Sequence, residues 1–217
     1  MPNRWLPILF ILLTAGCSGQ LYNPAAPLEP HLNSYQLETP ATHSRFLICT
    51  HYDCDAPVKV ALSETEWSLI GKLFSPAATS ADQERVQIAK AIGLLEKLVG
   101  AKNNTFADQP CNNFQPPIES IQLDCVSESL NTTIYLQLLN NRHLLDWHQV
   151  RPPAHRSIFQ LSAPHFTAVI QESESQQLFA VDSWFHANGE AAVIVPLTAW
   201  WRGYAPENHC GTGQVTP

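Results

Sequence analysis

Cys125, His165 and Asp182 stand in that order in a chain of 217 residues, and they supply a thiol, a proton acceptor and a carboxylate. A cysteine nucleophile needs this set. The thiolate is the reactive form, a base must take the thiol proton, and a third group must hold that base in the right tautomer. Cys125 lies in Leu123-Asp124-Cys125-Val126-Ser127-Glu128-Ser129, at the predicted first turn of an amphipathic helix running to about Leu139. His165 opens one apolar run (Pro164-His165-Phe166) and Asp182 lies inside the next (Ala180-Val181-Asp182-Ser183-Trp184). At a helix N-terminus, free N–H groups and the positive dipole end favour a thiolate. The N–H of Cys125 can also donate to an oxyanion forming on an attacked carbonyl. Gln122 and Asp124 are candidates for a second donor or a water-positioning group. Trp184, with Trp200, Trp201 and Tyr204, is a candidate for lining a substrate groove.

Two adjacent strands would bring His165 and Asp182 side by side if 165–172 and 178–185 form a hairpin around a turn at 173–177. The two residues lie seven and four positions from that turn. Direct pairing therefore needs a bulge or an asymmetric loop. Each residue also has a plainer role open to it. Cys125 can pair with Cys111, which would abolish the nucleophile. His165 is one of nine histidines. Asp182 can be an ordinary polar residue at a strand end. His51-Tyr52-Asp53-Cys54-Asp55 gathers metal-ligating types but matches no zinc spacing, and a disulfide loop with solvated acids is the expectation there. No metal and no cofactor is expected. His143 and His148, near a helix end, read as structural.

Short strands are expected at 45–50 and 58–62, flanking a Cys49–Cys54 loop. Ser63 caps a helix carrying Trp67, Ile70, Leu73 and Phe74 inward. Ser80 with Gln83 forms a capping box for a helix over 80–99, whose apolar positions Val86, Ile88, Ala89, Ile92, Leu95 and Val99 repeat near 3.6 residues. Gly100 is its expected stop. A polar loop covers 101–120. Beyond the Cys125 helix, strands are expected at 148–150, after a Pro152-Pro153 break at 157–161, then at 165–172, 178–185 and 193–195. Asn188-Gly189 makes a tight turn, and Leu197–Trp201 a short helix. Helices first and strands later give an α+β domain with helices packed on an antiparallel sheet.

The formal net charge of -7 argues against a nucleic-acid surface. Residues 1–16 read as a secretory leader: Arg4, an apolar stretch from Trp5 to Leu13, then small residues. Cys17 after Ala15-Gly16 resembles a bacterial lipobox, which implies lipidation of Cys17, and Ser18 implies the outer membrane by the same resemblance. Residues 17–44 read as a tether and 45–217 as the domain. The expected location is the bacterial cell envelope, lipid-anchored and facing the periplasm. With Cys17 lipidated and Cys125 reactive, Cys49, Cys54, Cys111 and Cys210 remain, consistent with two disulfides. Three pairings are open; nearness in sequence favours Cys49–Cys54, leaving Cys111–Cys210.

The three motif strings resemble the transglutaminase-like branch of the papain-like cysteine hydrolases, and also a group of proteobacterial secreted proteins, over residues 121–197. The resemblance implies a Cys125–His165–Asp182 triad, an aromatic residue after the histidine (Phe166), and packing of the 80–99 helix on the catalytic helix. It carries no substrate. The leading expectation is amide or peptide hydrolysis, or acyl transfer, through a thioester on a peptide or protein substrate. One alternative keeps the fold without the chemistry, as a binding or assembly module of the envelope. Another is a structural lipoprotein whose aromatic C-terminal segment, 198–217, docks a partner.

Overall fold

The computed structural model describes residues 22–38, 41–111, 122–157 and 164–207. The expected leader, the lipidation site Cys17, Cys210 and most of the expected 157–161 strand lie outside the described residues. The domain is an α+β mix. A hairpin of β1 (Phe46–Ile48) and β2 (Val58–Val60) stands apart from a four-stranded antiparallel sheet. That sheet contains β3 (His148–Arg156), β4 (His165–Glu172), β5 (Leu178–Asp182) and β6 (Val193–Pro196), adjacent in chain order. Three main helices accompany it: α2 (Glu64–Lys72), α3 (Ala81–Asn103) and α4 (Cys125–Asn141). The short helix α5 (Leu197–Trp201) closes the end of the sheet at β5 and β6.

Helix α4 occupies the centre, against α3, β1 and strands β3 to β5. Its sequence reads as amphipathic, but the structure buries it almost all round, from Ser127 to Leu136 without a break. A helix without a solvent face must satisfy its polar side chains internally. The polar residues of its first half do so. Asn131 accepts from the Cys49 N–H at 2.7 Å and donates to the Cys49 carbonyl at 2.9 Å. Thr133 donates to the Ser129 carbonyl at 2.7 Å, and Thr132 meets the Ser183 hydroxyl at 3.0 Å.

Three expectations about boundaries are corrected. Gly100 does not end α3; the helix runs to Asn103 and stops at Asn104, which adopts the left-handed conformation (φ 69°). Asn tolerates that conformation, so it serves as a stop. Gly100 is needed for space, since a Cβ there would lie 2.9 Å from the Phe106 nitrogen. The Pro152-Pro153 pair does not break the strand. It lies in one continuous β3, at a register shift between Arg151 and Ala154. β3 is a sheet edge, where a residue without an N–H is tolerated at a bulge. Finally, part of the expected tether is built into the domain. Residues Leu28–Ser34 form helix α1, and Leu32 and Leu37 are fully buried in the main core.

Caps and clamps fix the helices, and the expected capping box closes on α2 but not on α3. Ser63 and Glu66 form a reciprocal capping box on α2. Ser80 accepts from the Gln83 N–H on α3, but the Gln83 side chain reaches Thr79 instead of closing the box. His148 is buried at the start of β3, where its Nδ1 meets Glu84 at 2.8 Å and its Nε2 meets Arg85 at 3.0 Å. Its role is to lock β3 onto α3.

Candidate functional site

Cys125 is the first residue of α4, and Asp124 is its N-cap. One Asp124 oxygen accepts from the Ser127 N–H at 2.9 Å, and the other accepts from the Asp53 N–H at 3.1 Å. Asp124 is therefore spent on holding the helix mouth, and not on an oxyanion. The disulfide-closed loop Cys49–Cys54 is sewn to the same turns. Cys54 donates its N–H to the Ser127 hydroxyl at 3.1 Å, and that hydroxyl donates to the His51 carbonyl at 2.5 Å. With the Asn131 clamp on Cys49, the loop and the helix start form one unit.

His165 opens β4 and Asp182 ends β5, both 2% exposed. The strands pair with Ala168 opposite Val181. Continuing that register sets Asp182 opposite Thr167 and leaves His165 two residues along on the same face, a diagonal neighbour. No bulge between β4 and β5 is required. His165 Nε2 lies 2.8 Å from Asp182 Oδ2. A carboxylate only accepts, so Nε2 is the donor in this contact. The other ring nitrogen, Nδ1, is buried without a hydrogen-bond partner among the described residues. The imidazole sits among aromatic rings: Trp184 at 4.5 Å, Phe185 at 5.4 Å and Trp200 at 5.6 Å between centroids.

The sulfur of Cys125 meets the backbone N–H of Phe166, the residue after His165. No hydrogen bond joins that sulfur to His165 Nδ1 among the described residues. Cys125 is the free cysteine among the described residues. Cys111 is itself disulfide-bonded, which removes it as a partner for Cys125. The electrostatics oppose a resting thiolate. Burial, with the nearby Asp124 and Asp182 charges, pushes the thiol up to about 11, against the Phe166 and Cys125 N–H groups, which lower it. Helix-end stabilisation, expected from the sequence, is outweighed by desolvation.

Behind the site lies a group of buried acids from three segments. Asp108 accepts from the Leu123 N–H at 2.8 Å. Burial, followed by the Glu128 charge and a hydrogen bond to Glu128, raises its carboxyl to about 9. Glu128 is raised as well, chiefly by burial, so the two carboxyls together favour holding a proton. Glu128 also accepts from the Ser183 hydroxyl at 2.7 Å. Burial and the Glu128 charge push Glu96 well above the usual range, and its Oε1 is buried without a hydrogen-bond partner among the described residues.

Other expected site residues take different places. Gln122 donates to the Ala107 carbonyl at 3.1 Å and accepts from the Gln109 N–H at 2.9 Å, so its amide braces the loop before α4. Trp184 is half-buried over the His165 ring, and its carbonyl accepts from the Cys111 N–H at 2.9 Å. Trp200 does not line a groove; it is fully buried, and its indole N–H donates to Asp182 Oδ2 at 2.7 Å. Trp201 donates to the His155 carbonyl at 3.3 Å. The sequence offers Trp200 only as a groove-lining candidate and carries no signal for this contact, because Asp182 lies 18 positions away. Two clefts, of about 580 and 700 Å³, lie beside α4's C-terminal half and touch none of Cys125, His165 and Asp182.

Comparison with protein-family models, curated proteins and solved structures finds no match to this chain.

Proposed function

We propose that the protein is a thiol hydrolase or acyltransferase of transglutaminase-like type, acting on an amide of a peptide or protein. The observation that carries this reading is the His165 imidazole, which has one nitrogen on Asp182, the other buried and unpartnered, and the Cys125 sulfur at the neighbouring peptide. In the proposed reaction Cys125 Sγ bonds to the carbonyl carbon as its proton passes to His165 Nδ1. The C–N bond then breaks, and that proton leaves with the amine. Water or an acceptor amine next attacks the thioester, giving a proton to His165. The C–S bond breaks and the proton returns to sulfur. Asp182 holds the tautomer throughout. With a thiol held near 11, proton transfer accompanies attack and does not precede it. The leader and the Ala15-Gly16-Cys17 string support an envelope location with a lipid anchor at Cys17.

One observation favours a second reading, a binding or assembly module with the same fold. Burial raises the thiol, and a raised thiol is poorly nucleophilic. Incubation of the purified protein with p-nitrophenyl acetate separates the two. The enzymatic reading expects an acetyl adduct on Cys125 by mass spectrometry, formed much more slowly in His165→Ala. A Cys125 that stays free while other nucleophiles are acetylated contradicts it.

A further inference from the structure

We propose that Trp200 is a positioning residue of this site: its indole N–H holds the Asp182 carboxylate in the orientation that His165 requires. The inference rests on the reading given under Proposed function and adds a fourth side chain to it. Asp182 Oδ2 receives two donors, His165 Nε2 at 2.8 Å and Trp200 Nε1 at 2.7 Å. Asp182 is 2% exposed and Trp200 is fully buried, so water is a poor substitute for either donor. A buried carboxylate with one donor removed can turn or take a proton, and in either case it stops holding the imidazole.

Trp200 is itself fixed from β3. The Arg156 guanidinium lies over its ring at 4.7 Å, and Arg156 donates to the Trp200 carbonyl at 2.7 Å and to the Tyr204 carbonyl at 3.2 Å. Arg156 is the cross-strand partner of His165. The chain of contacts therefore runs from β3 through α5 to the end of β5 and back to β4. It gives α5, only five residues long, a reason to be seated on the sheet. The charged and titratable groups acting on this region are His165 on β4, Arg156 on β3, and Cys125 and Glu128 on α4, with Asp124 at its cap.

The test is the pH profile of iodoacetamide alkylation at Cys125 in the full protein, for the wild type, His165→Ala, Asp182→Asn and Trp200→Phe. Phenylalanine keeps an aromatic body and removes the N–H. The acid limb should be displaced by about one pH unit in Trp200→Phe, with alkaline rates little changed. A packing role alone would leave the shape of the profile intact. A folded Trp200→Phe with the wild-type profile overturns the proposal. If His165→Ala also leaves the profile unchanged, the enzymatic reading itself fails; if only Trp200→Phe does, that reading stands and this inference falls. Should Trp200→Phe not fold, the Trp200 indole N–H resonance in the otherwise native protein decides. A downfield signal displaced by Asp182→Asn supports the proposal, and one unmoved by it overturns it.

Discussion

The Cys125 sulfur, at the first residue of α4, lies within reach of the backbone N–H of Phe166, the residue following His165, and that N–H favours the thiolate. This contact ties the helix mouth to β4 at the position of the proposed base. α4 packs along β4 while β4 pairs with β5, which brings the Asp182 charge to bear on the Cys125 thiol.

Stability should fall as pH rises. Asp108 has a folded-state value of about 9 against an ordinary value of 3.8, so between those limits the folded protein holds a proton that the unfolded chain releases. The associated stability is fully present below about pH 4 and is lost progressively towards pH 9, at up to about 1.4 kcal/mol per pH unit. Glu96 and Glu128 act in the same direction. Asp108→Asn keeps an acceptor for the Leu123 N–H and a donor for Glu128. It is expected to raise Tm at pH 8 and leave it nearly unchanged at pH 4.5. An equal shift at both pH values, or a Tm that climbs with pH in the wild type, would count against a shared proton.

Asn131→Ala should be among the more damaging single changes. It strands the N–H and the carbonyl of Cys49, both now bonded to one 3% exposed side chain. Two buried orphans cost about 2–4 kcal/mol, or roughly 5–15 °C in Tm for a chain of this size. Asn131→Asp keeps the acceptor but loses the donor, and should also destabilise. Wild-type melting of either variant would show that the Cys49–Cys54 loop is not held by this clamp.

Gly93→Ala tests space against propensity. Alanine favours a helix by about 1 kcal/mol over glycine. Here a Cβ would fall 2.3 Å from the backbone oxygen of Glu190, which has no flexible end to move away. The clash should win, with a net loss of about 1–3 kcal/mol and a Tm lower by roughly 3–10 °C. A raised Tm would mean that the loop at Glu190 yields freely.

The helices and most strands were legible because their signals are local: caps at Ser63 and Ser80, a 3.6-residue period in α3, apolar runs at β4 and β5. The hairpin that joins His165 and Asp182 is legible from its turn. Their exact relationship is not. Counting from the turn suggested a bulge, whereas side chains of 165 and 182 reach each other diagonally on one face. The end of α3 was misplaced because Gly100 reads as a stop, while its absent side chain answers to Phe106, which only the fold brings near. The Cys125 helix was taken as amphipathic because serine, threonine and asparagine look solvent-facing in isolation. In the fold they satisfy the 49–54 loop and Ser183. The contacts of Trp200 and Asp108 are not legible for the same reason: their partners are distant in sequence.

The most direct measurement is the rate of iodoacetamide alkylation at Cys125 near neutral pH, read by peptide mass spectrometry, in the wild type and in His165→Ala. If His165 takes the thiol proton, a sulfur otherwise held near 11 gains its reactivity from that base, and the variant should be at least about tenfold slower. Equal rates in two folded proteins would contradict a Cys125–His165 proton transfer, and with it the proposed chemistry.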